Sequence, residues 1–229
     1  MLAIFKREFK SYFQNVIGWL FVAALLAVYG LYFYVYNLKN GYPYISYNLK
    51  GIGFIMMIAV PILTMRSLSD EKKTKTDQLM LTSPVSVGRI VAGKYLAMAA
   101  VYTIDIALFA LSPLVLSIYG KVALSEAYVA LFGYWLYGLS CIAVGLFISS
   151  ISESVIISAI LTFAALFLSY MMQSITGLIS SSGNLLTKVL NCFDLYTPFE
   201  NFVSGCFSVT SAAYYVTVTF LFCFLSTQS

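Results

Sequence analysis

The 229-residue chain contains no histidine, and only 10% of its residues are charged. Without histidine, the chain lacks the side chain that most often acts as a general base near neutral pH and as a metal ligand. Its four cysteines form no CxxC pair and no other spacing typical of a metal site. These absences exclude the commonest catalytic and metal-binding arrangements, and we expect no enzymatic activity in this chain.

Hydrophobic residues, in contrast, are abundant, at 61% of the chain with a mean hydropathy of +0.89. Soluble domains typically contain about 25% charged and about 45–50% apolar residues. A soluble globule of this size would have too few polar residues to cover its apolar surface. The composition therefore predicts an all-α, polytopic membrane protein whose surface is covered by lipid.

Six segments have the length and apolarity of a membrane-spanning helix, which requires about 20 predominantly apolar residues. The predicted spans are residues 16–38, 47–65, 90–119, 127–149, 155–173 and 208–225. The polar segment 174–205, between the fifth and sixth spans, is too long for a simple turn and is predicted to hold short helices at the membrane surface. We treat residues 1–229 as a single transmembrane domain.

The positions of lysine and arginine predict the orientation, because cytoplasmic segments carry an excess of both. With the N-terminus inside, nine of these 13 residues lie in inner segments and four in outer ones. The inner cations are Lys6, Arg7, Lys10, Arg66, Lys72, Lys73, Lys75, Arg89 and Lys94; the outer ones are Lys39, Lys50, Lys121 and Lys188. This bias predicts that both termini are cytoplasmic and that 174–205 is extracytoplasmic.

Residues 1–13 are predicted to form an amphipathic helix at the membrane interface. Aromatic residues recur at helical spacing on one face, and cations occupy the other, as is typical of a helix in the headgroup region. Phe5, Phe9 and Tyr12 define the aromatic face, and Lys6, Arg7 and Lys10 define the cationic face. The helix is either a basic flank of the first span or a surface that contacts a cytoplasmic partner.

The loop 66–86 is the only substantial cytoplasmic segment in this topology. It begins with a mixed charge cluster and continues with the start signals of a short helix, a patch of large apolar residues, and a proline that ends the helix. The charge cluster is Asp70, Glu71, Lys72 and Lys73, and the start signals are Thr76 and Asp77. The apolar patch is Leu79, Met80 and Leu81, and the proline is Pro84, which precedes Val85. The exposed apolar residues favour docking against another protein or the membrane surface, although a generic charged loop is the alternative.

Several segments of the chain resemble type-2 ABC exporter permeases, most closely those of the gliding-motility branch of bacterial export systems. The resemblance lies in residues 63–66, 70–73, 76–79, 81–86 and 93–94, which match the region between the second and third spans of these proteins. Residues 144–153 and 196–202 agree with later parts of the same pattern. One departure is Lys75, which stands where such proteins often have glycine.

The resemblance implies a permease subunit in a bacterial inner or plasma membrane. The loop 66–86 would then be a coupling helix seated in a groove of an ABC ATPase subunit, with the helix 1–13 contacting that subunit as well. ATP and Mg²⁺ would be bound by the ATPase, and this chain would hold no cofactor and bind no nucleic acid. A second permease copy or a paralogue would complete the pathway, and an accessory extracytoplasmic subunit is a further possible partner.

Residues 88–95 nearly match the GxxxxGK[ST] phosphate-binding loop, but Tyr95 replaces the small hydroxyl residue and no strand precedes the segment. We therefore expect no nucleotide site here. Asp105 lies near the middle of the third span, where a carboxylate costs about 2.5–3.5 kcal/mol on insertion scales. It is either a structural group, hydrogen-bonded to a neighbouring hydroxyl or held neutral, or part of a transport pathway. The glycines of the fourth span, Gly133, Gly138 and Gly145, are interpreted as helix-packing positions.

Two other functions are compatible with six spans. A secondary transporter usually places ionisable residues and broken helices near the midplane and often shows inverted repeats. Here Asp105 alone has that placement, and the halves show no convincing repeat. A non-transporting membrane scaffold is the other alternative.

Overall fold

A computed structural model describes residues 2–75, 86–119, 122–179 and 193–228, and nearly all of them are helical. No strand occurs within these four ranges, which confirms the predicted all-α class. The helices are α1 (Leu2–Gln14), α2 (Val16–Tyr32, continued by a π-helix, Phe33–Lys39), α3 (Ser46–Thr64), α4 (Ser69–Thr74), α5 (Val87–Phe109), α6 (Ser112–Tyr119), α7 (Leu124–Ile151), α8 (Val155–Ile179), α9 (Thr197–Val203) and α10 (Val209–Gln228).

Six helical segments are long and apolar enough to cross a membrane, as predicted. They are α2 with its π-helical continuation, α3, α5 with α6, α7, α8 and α10. Helix α1 lies where the sequence predicts the interface helix. The predicted helix start at Thr76 and Asp77 falls outside the described residues.

Helix α7 is the centre of the bundle, because it packs against α3, α5, α8, α9 and α10. Its glycines allow neighbouring helices to approach closely. A Cβ atom on Gly145 would lie 2.5 Å from Thr64 Oγ1 of α3, and Gly138 faces the ring of Tyr102 from α5. These contacts confirm the interpretation of the fourth-span glycines as packing positions.

The third span is interrupted at residues 110–111, whereas its apolar run predicts one continuous segment. Pro113 explains the interruption, since a proline ring clashes with the carbonyl four residues earlier, here that of Phe109. Helix α5 ends at Phe109, and Ser112 Oγ donates a hydrogen bond to the Phe109 carbonyl oxygen at 2.7 Å. Ser112 also shares a hydrogen bond with the Tyr29 hydroxyl, which ties the break to α2.

At the opposite end from α1, the short helix α9 packs against α7 and α3. Asp194 lies two residues before the N-cap, Tyr196, and its Oδ1 accepts hydrogen bonds of 2.9 Å from the backbone N–H groups of Tyr196 and Thr197. The Tyr215 hydroxyl donates to the Leu195 carbonyl at 2.7 Å and links this segment to α10. The motif at residues 196–202 is therefore a short helix whose start is bonded to Asp194, with Phe199 and Phe202 buried and Asn201 exposed.

Candidate functional site at the α1 end of the bundle

Helix α1 lies across the ends of the spans with its aromatic face inward. Phe5 and Phe9 stack with ring centroids 5.9 Å apart, Phe9 and Phe13 follow at 5.0 Å, and Phe13 meets Trp19 of α2 at 5.3 Å. The cations Lys6, Arg7 and Lys10 are exposed on the other side of the helix. The pattern matches the amphipathic face division read from the sequence.

Tyr12 fastens α1 to the end of α3. Its hydroxyl donates a hydrogen bond to the Leu63 carbonyl at 3.3 Å. Burial raises the pKa of Tyr12, and the nearby carboxylate of Glu8 raises it further. The hydroxyl therefore stays protonated and keeps its donor role over the physiological pH range.

Helix α4, at the start of the loop 66–86, is anchored to the α1 end of the bundle through α7. The backbone N–H groups of Leu68 and Ser69 donate to Ser149 Oγ at 3.1 and 3.2 Å. These are the donors that a helix N-terminus leaves without an intrahelical partner. Helix α4 ends at Thr74, and the next residue, Lys75, adopts the left-handed conformation with φ 55°. Glycine adopts this conformation without steric cost, so Lys75 holds a backbone conformation that favours glycine.

The best-defined polar feature of this end is a group of two cations and two carboxylates from three helices, the four-charge cluster. Lys94 of α5 is its centre, with only 2% of its side chain exposed. Lys94 Nζ lies 2.7 Å from Glu71 Oε1 and 3.8 Å from Glu8 Oε2, and it also donates to the Ser67 carbonyl at 2.6 Å. Arg7 completes the cluster, 2.6 Å from Glu8 and 3.9 Å from Glu71.

The cluster joins the interface helix, the start of the loop 66–86 and a membrane span at one point. A buried ammonium requires charged or hydrogen-bonding partners, because removing it from water costs several kcal/mol. Glu8 and Glu71 are 15% and 20% exposed, so the cluster is open to solvent on the carboxylate side. The cluster therefore ties α4 and α1 to the Val87 end of α5.

The predicted docking residues divide into two groups in the structure. Asp70, Glu71, Lys72 and Lys73 lie on α4, where Asp70 and Lys73 are exposed and Glu71 belongs to the four-charge cluster. The remaining predicted docking residues, Thr76, Asp77, Leu79, Met80, Leu81, Pro84 and Val85, lie outside the described residues.

Sequence reasoning did not assign a role to Glu8, Lys94 or Ser149. Two signals were present. Glu8 is the only acidic residue before Asp70, and it lies among the cations of an amphipathic helix. Lys94 is a charge placed inside an apolar helix, where a lysine needs a partner or a path to water. The helix spanning Val87–Phe109 contains the whole phosphate-loop-like segment.

Asp105 is fully buried in α5, at 0% exposure. Neither of its carboxyl oxygens has a hydrogen-bond partner among the described residues, and the Tyr134 hydroxyl of α7 is likewise unbonded there. The Tyr102 hydroxyl donates to the Tyr134 carbonyl at 2.7 Å and so does not serve the carboxyl group. The described structure thus provides no hydroxyl bonded to Asp105.

The fold and this site define a multi-pass membrane protein with an ion-paired surface assembly at one end of its spans. Residues 27–227 match the family model described as ABC-2 family transporter protein. The chain therefore belongs to the ABC-2 transporter family, the membrane permeases of ATP-binding cassette transporters. Membership implies an ABC ATPase as partner. No curated protein matches the chain.

Proposed function

We propose that this chain is the permease subunit of an exporter, in which a separate ATPase subunit binds ATP and Mg²⁺ and drives the spans of this chain. The four-charge cluster is the observation that carries the proposal. It connects α4, at the start of the loop that would dock on the ATPase, with α5 in the membrane. Exporter direction rests on the resemblance to export permeases of the gliding-motility type.

In this proposal the residues 66–86 form the docking element, with Leu79, Met80 and Leu81 in the ATPase groove. The α1 cations face the same partner. Both termini are cytoplasmic, in a bacterial inner or plasma membrane, in accord with the excess of inner lysine and arginine.

A second permease copy or a paralogue completes the pathway. Helices α8 and α10 support this proposal, because only 22% and 17% of their most apolar windows are buried within one copy. Asp105 is proposed to belong to the transport pathway, because its buried carboxyl group has no hydrogen bond to a described residue that would give it a structural role.

The double variant Leu79→Asp/Leu81→Asp tests the docking element. The tagged chain is purified from native membranes in mild detergent, and any ATP-binding cassette ATPase that copurifies is identified by its phosphate-binding motif and quantified. We expect the unmodified chain to retain such an ATPase and the variant to lose it more than about tenfold, because buried apolar anchors at interfaces contribute about 2 kcal/mol or more each.

A matched control places the same charge at exposed apolar positions on the opposite end, Tyr42→Asp/Tyr44→Asp. This control should retain the ATPase. Equal retention by both double variants would remove the docking claim, and absence of any ABC ATPase from the unmodified preparation would remove the proposed function.

A further inference from the structure

A large groove runs along the outer face of α5, between α1 and α7. Its volume is about 1280 Å³, and nearly all of its surface is apolar. Leu2 and Phe5 of α1 form its wall at one end, and small residues, Ala100 and Ala107, form much of its floor. It follows α5 from Arg89 to Ala107, which corresponds to about 27 Å at 1.5 Å per helical residue.

Arg89 is the one charged residue among those that line this groove in the described chain. It is exposed, lies in the first turn of α5, and forms no salt bridge with a described residue. The first turn of a helix adds partial positive charge from the aligned peptide dipoles. The α1 end of the groove therefore attracts anions, and the rest of the groove is almost entirely apolar.

Two polar side chains farther along the groove, Trp135 and Thr103, bond to each other. Trp135 Nε1 of α7 donates to Thr103 Oγ1 of α5 at 3.1 Å. Trp135 and Thr103 therefore present no unbonded N–H donor to the apolar residues of the groove. The groove combines one cation at the level of the interface helix with a long apolar floor.

We propose that this groove binds an anionic phospholipid of the cytoplasmic leaflet, with its phosphate on Arg89 and an acyl chain along α5. The leaflet assignment rests on the orientation given under the proposed function; the lipid class does not. A phospholipid supplies both an anionic headgroup and a long apolar chain, whereas a second copy covering the groove would have to bring a carboxylate to Arg89.

Lipid retention measures this directly. The chain is reconstituted in bilayers of equal phosphatidylglycerol and phosphatidylcholine, re-purified, and its bound lipids are extracted and quantified. We expect enrichment of phosphatidylglycerol, and a decrease of about fivefold in that enrichment for Arg89→Gln, the effect of one interfacial cation on an anionic lipid. Arg66→Gln is the matched control, an exposed arginine outside the groove, and should retain the enrichment.

A second pair of variants tests the apolar floor. Ala100→Trp fills the groove and should abolish the enrichment, whereas Ala24→Trp, on an exposed position of α2, should not. Equal enrichment in Arg89→Gln and Arg66→Gln would overturn the proposal. So would a change from dimer to monomer in Ala100→Trp with phosphatidylglycerol unchanged, since a second copy would then be the occupant.

Discussion

The energetic weight of the four-charge cluster rests on Lys94, the buried member. Removing it leaves Arg7 as the cation of the cluster that still contacts Glu8 and Glu71. We expect Lys94→Met to destabilise the protein by about 2–3 kcal/mol, below the cost of breaking a fully buried ion pair because both carboxylates retain some solvent contact. The thermal unfolding midpoint in detergent measures this change.

A double-mutant cycle separates the ion pair from the loss of lysine itself. Because a buried ion pair can be replaced by apolar residues of similar volume at little cost, Lys94→Met/Glu71→Met should recover much of the lost stability. The exposed Lys10 provides the control, and Lys10→Met should change stability by no more than about 0.5 kcal/mol. Additive effects of the Lys94 and Glu71 substitutions would show that the pair is not coupled.

Asp105 is the other residue whose environment suggests a purpose beyond packing. Since no described residue bonds to its carboxyl group, Asp105→Leu should leave the free energy of unfolding within about 1 kcal/mol of the original. Asp105→Asn should also fold and retain the ATPase. Both variants should nevertheless lose transport-coupled ATP hydrolysis if the carboxyl group serves the pathway. Full activity of Asp105→Asn at every pH tested would assign the residue a structural role.

These two residues also mark how far sequence reasoning reaches at this scale. Asp105 is conspicuous because a carboxylate in an apolar run is costly. The partners of Lys94 are not visible in the same way, because Glu8, Glu71 and Lys94 meet only when α1, α4 and α5 pack together. Long-range pairing depends on the relative placement of helices, which local periodicity does not contain.

At the scale of the helices, the predictable part is the part that lipid dictates. Apolar runs of about 20 residues must be helical in a membrane because their backbone groups have no other partners. The interruption between α5 and α6 was also readable in principle from Pro113, since its ring conflicts with the Phe109 carbonyl. The π-helical continuation Phe33–Lys39 had no comparable signal; its buried Asn37 bonds to the Tyr42 carbonyl and to Asn48, a contact made by the fold.

The contact between α3 and α7 provides an element-scale prediction. A methyl group on Gly145 would lie 2.5 Å from Thr64 Oγ1, so Gly145→Ala must push the two helices apart. We expect the free energy of unfolding to fall by about 1–3 kcal/mol, as is typical of overpacking. A decrease in the thermal unfolding midpoint measures this loss. The control is Gly30→Ala in α2, where no atom lies within 4 Å of the added group. Equal midpoints for the two variants would contradict the close packing.

At the scale of the whole molecule, burial differs between the central and outer helices, and charged residues connect helices near the ends of the bundle. The central helix α7 has 72% of its most apolar window buried, against 22% for α8. One copy thus has a packed centre and outer helices that require lipid or a partner. Charged residues connect helices at both ends: the four-charge cluster joins α1, α4 and α5, and Lys50 of α3 pairs with Glu200 of α9 at 2.8 Å at the opposite end.

The orientation of the whole molecule decides whether that force can come from a cytoplasmic ATPase, and the native cysteines allow a direct test. Cys206 is exposed between α9 and α10, whereas Cys141 is buried. With Cys192 and Cys223 replaced by serine, an impermeant maleimide added to intact cells should label Cys206. A second variant, Cys206→Ser with Thr74→Cys on α4, should be labelled only after the membrane is permeabilised, because the cationic loop 66–86 stays on the side that retains lysine and arginine. Labelling of Thr74→Cys in intact cells, with Cys206 protected, would invert the topology and separate the four-charge cluster from any cytoplasmic ATPase.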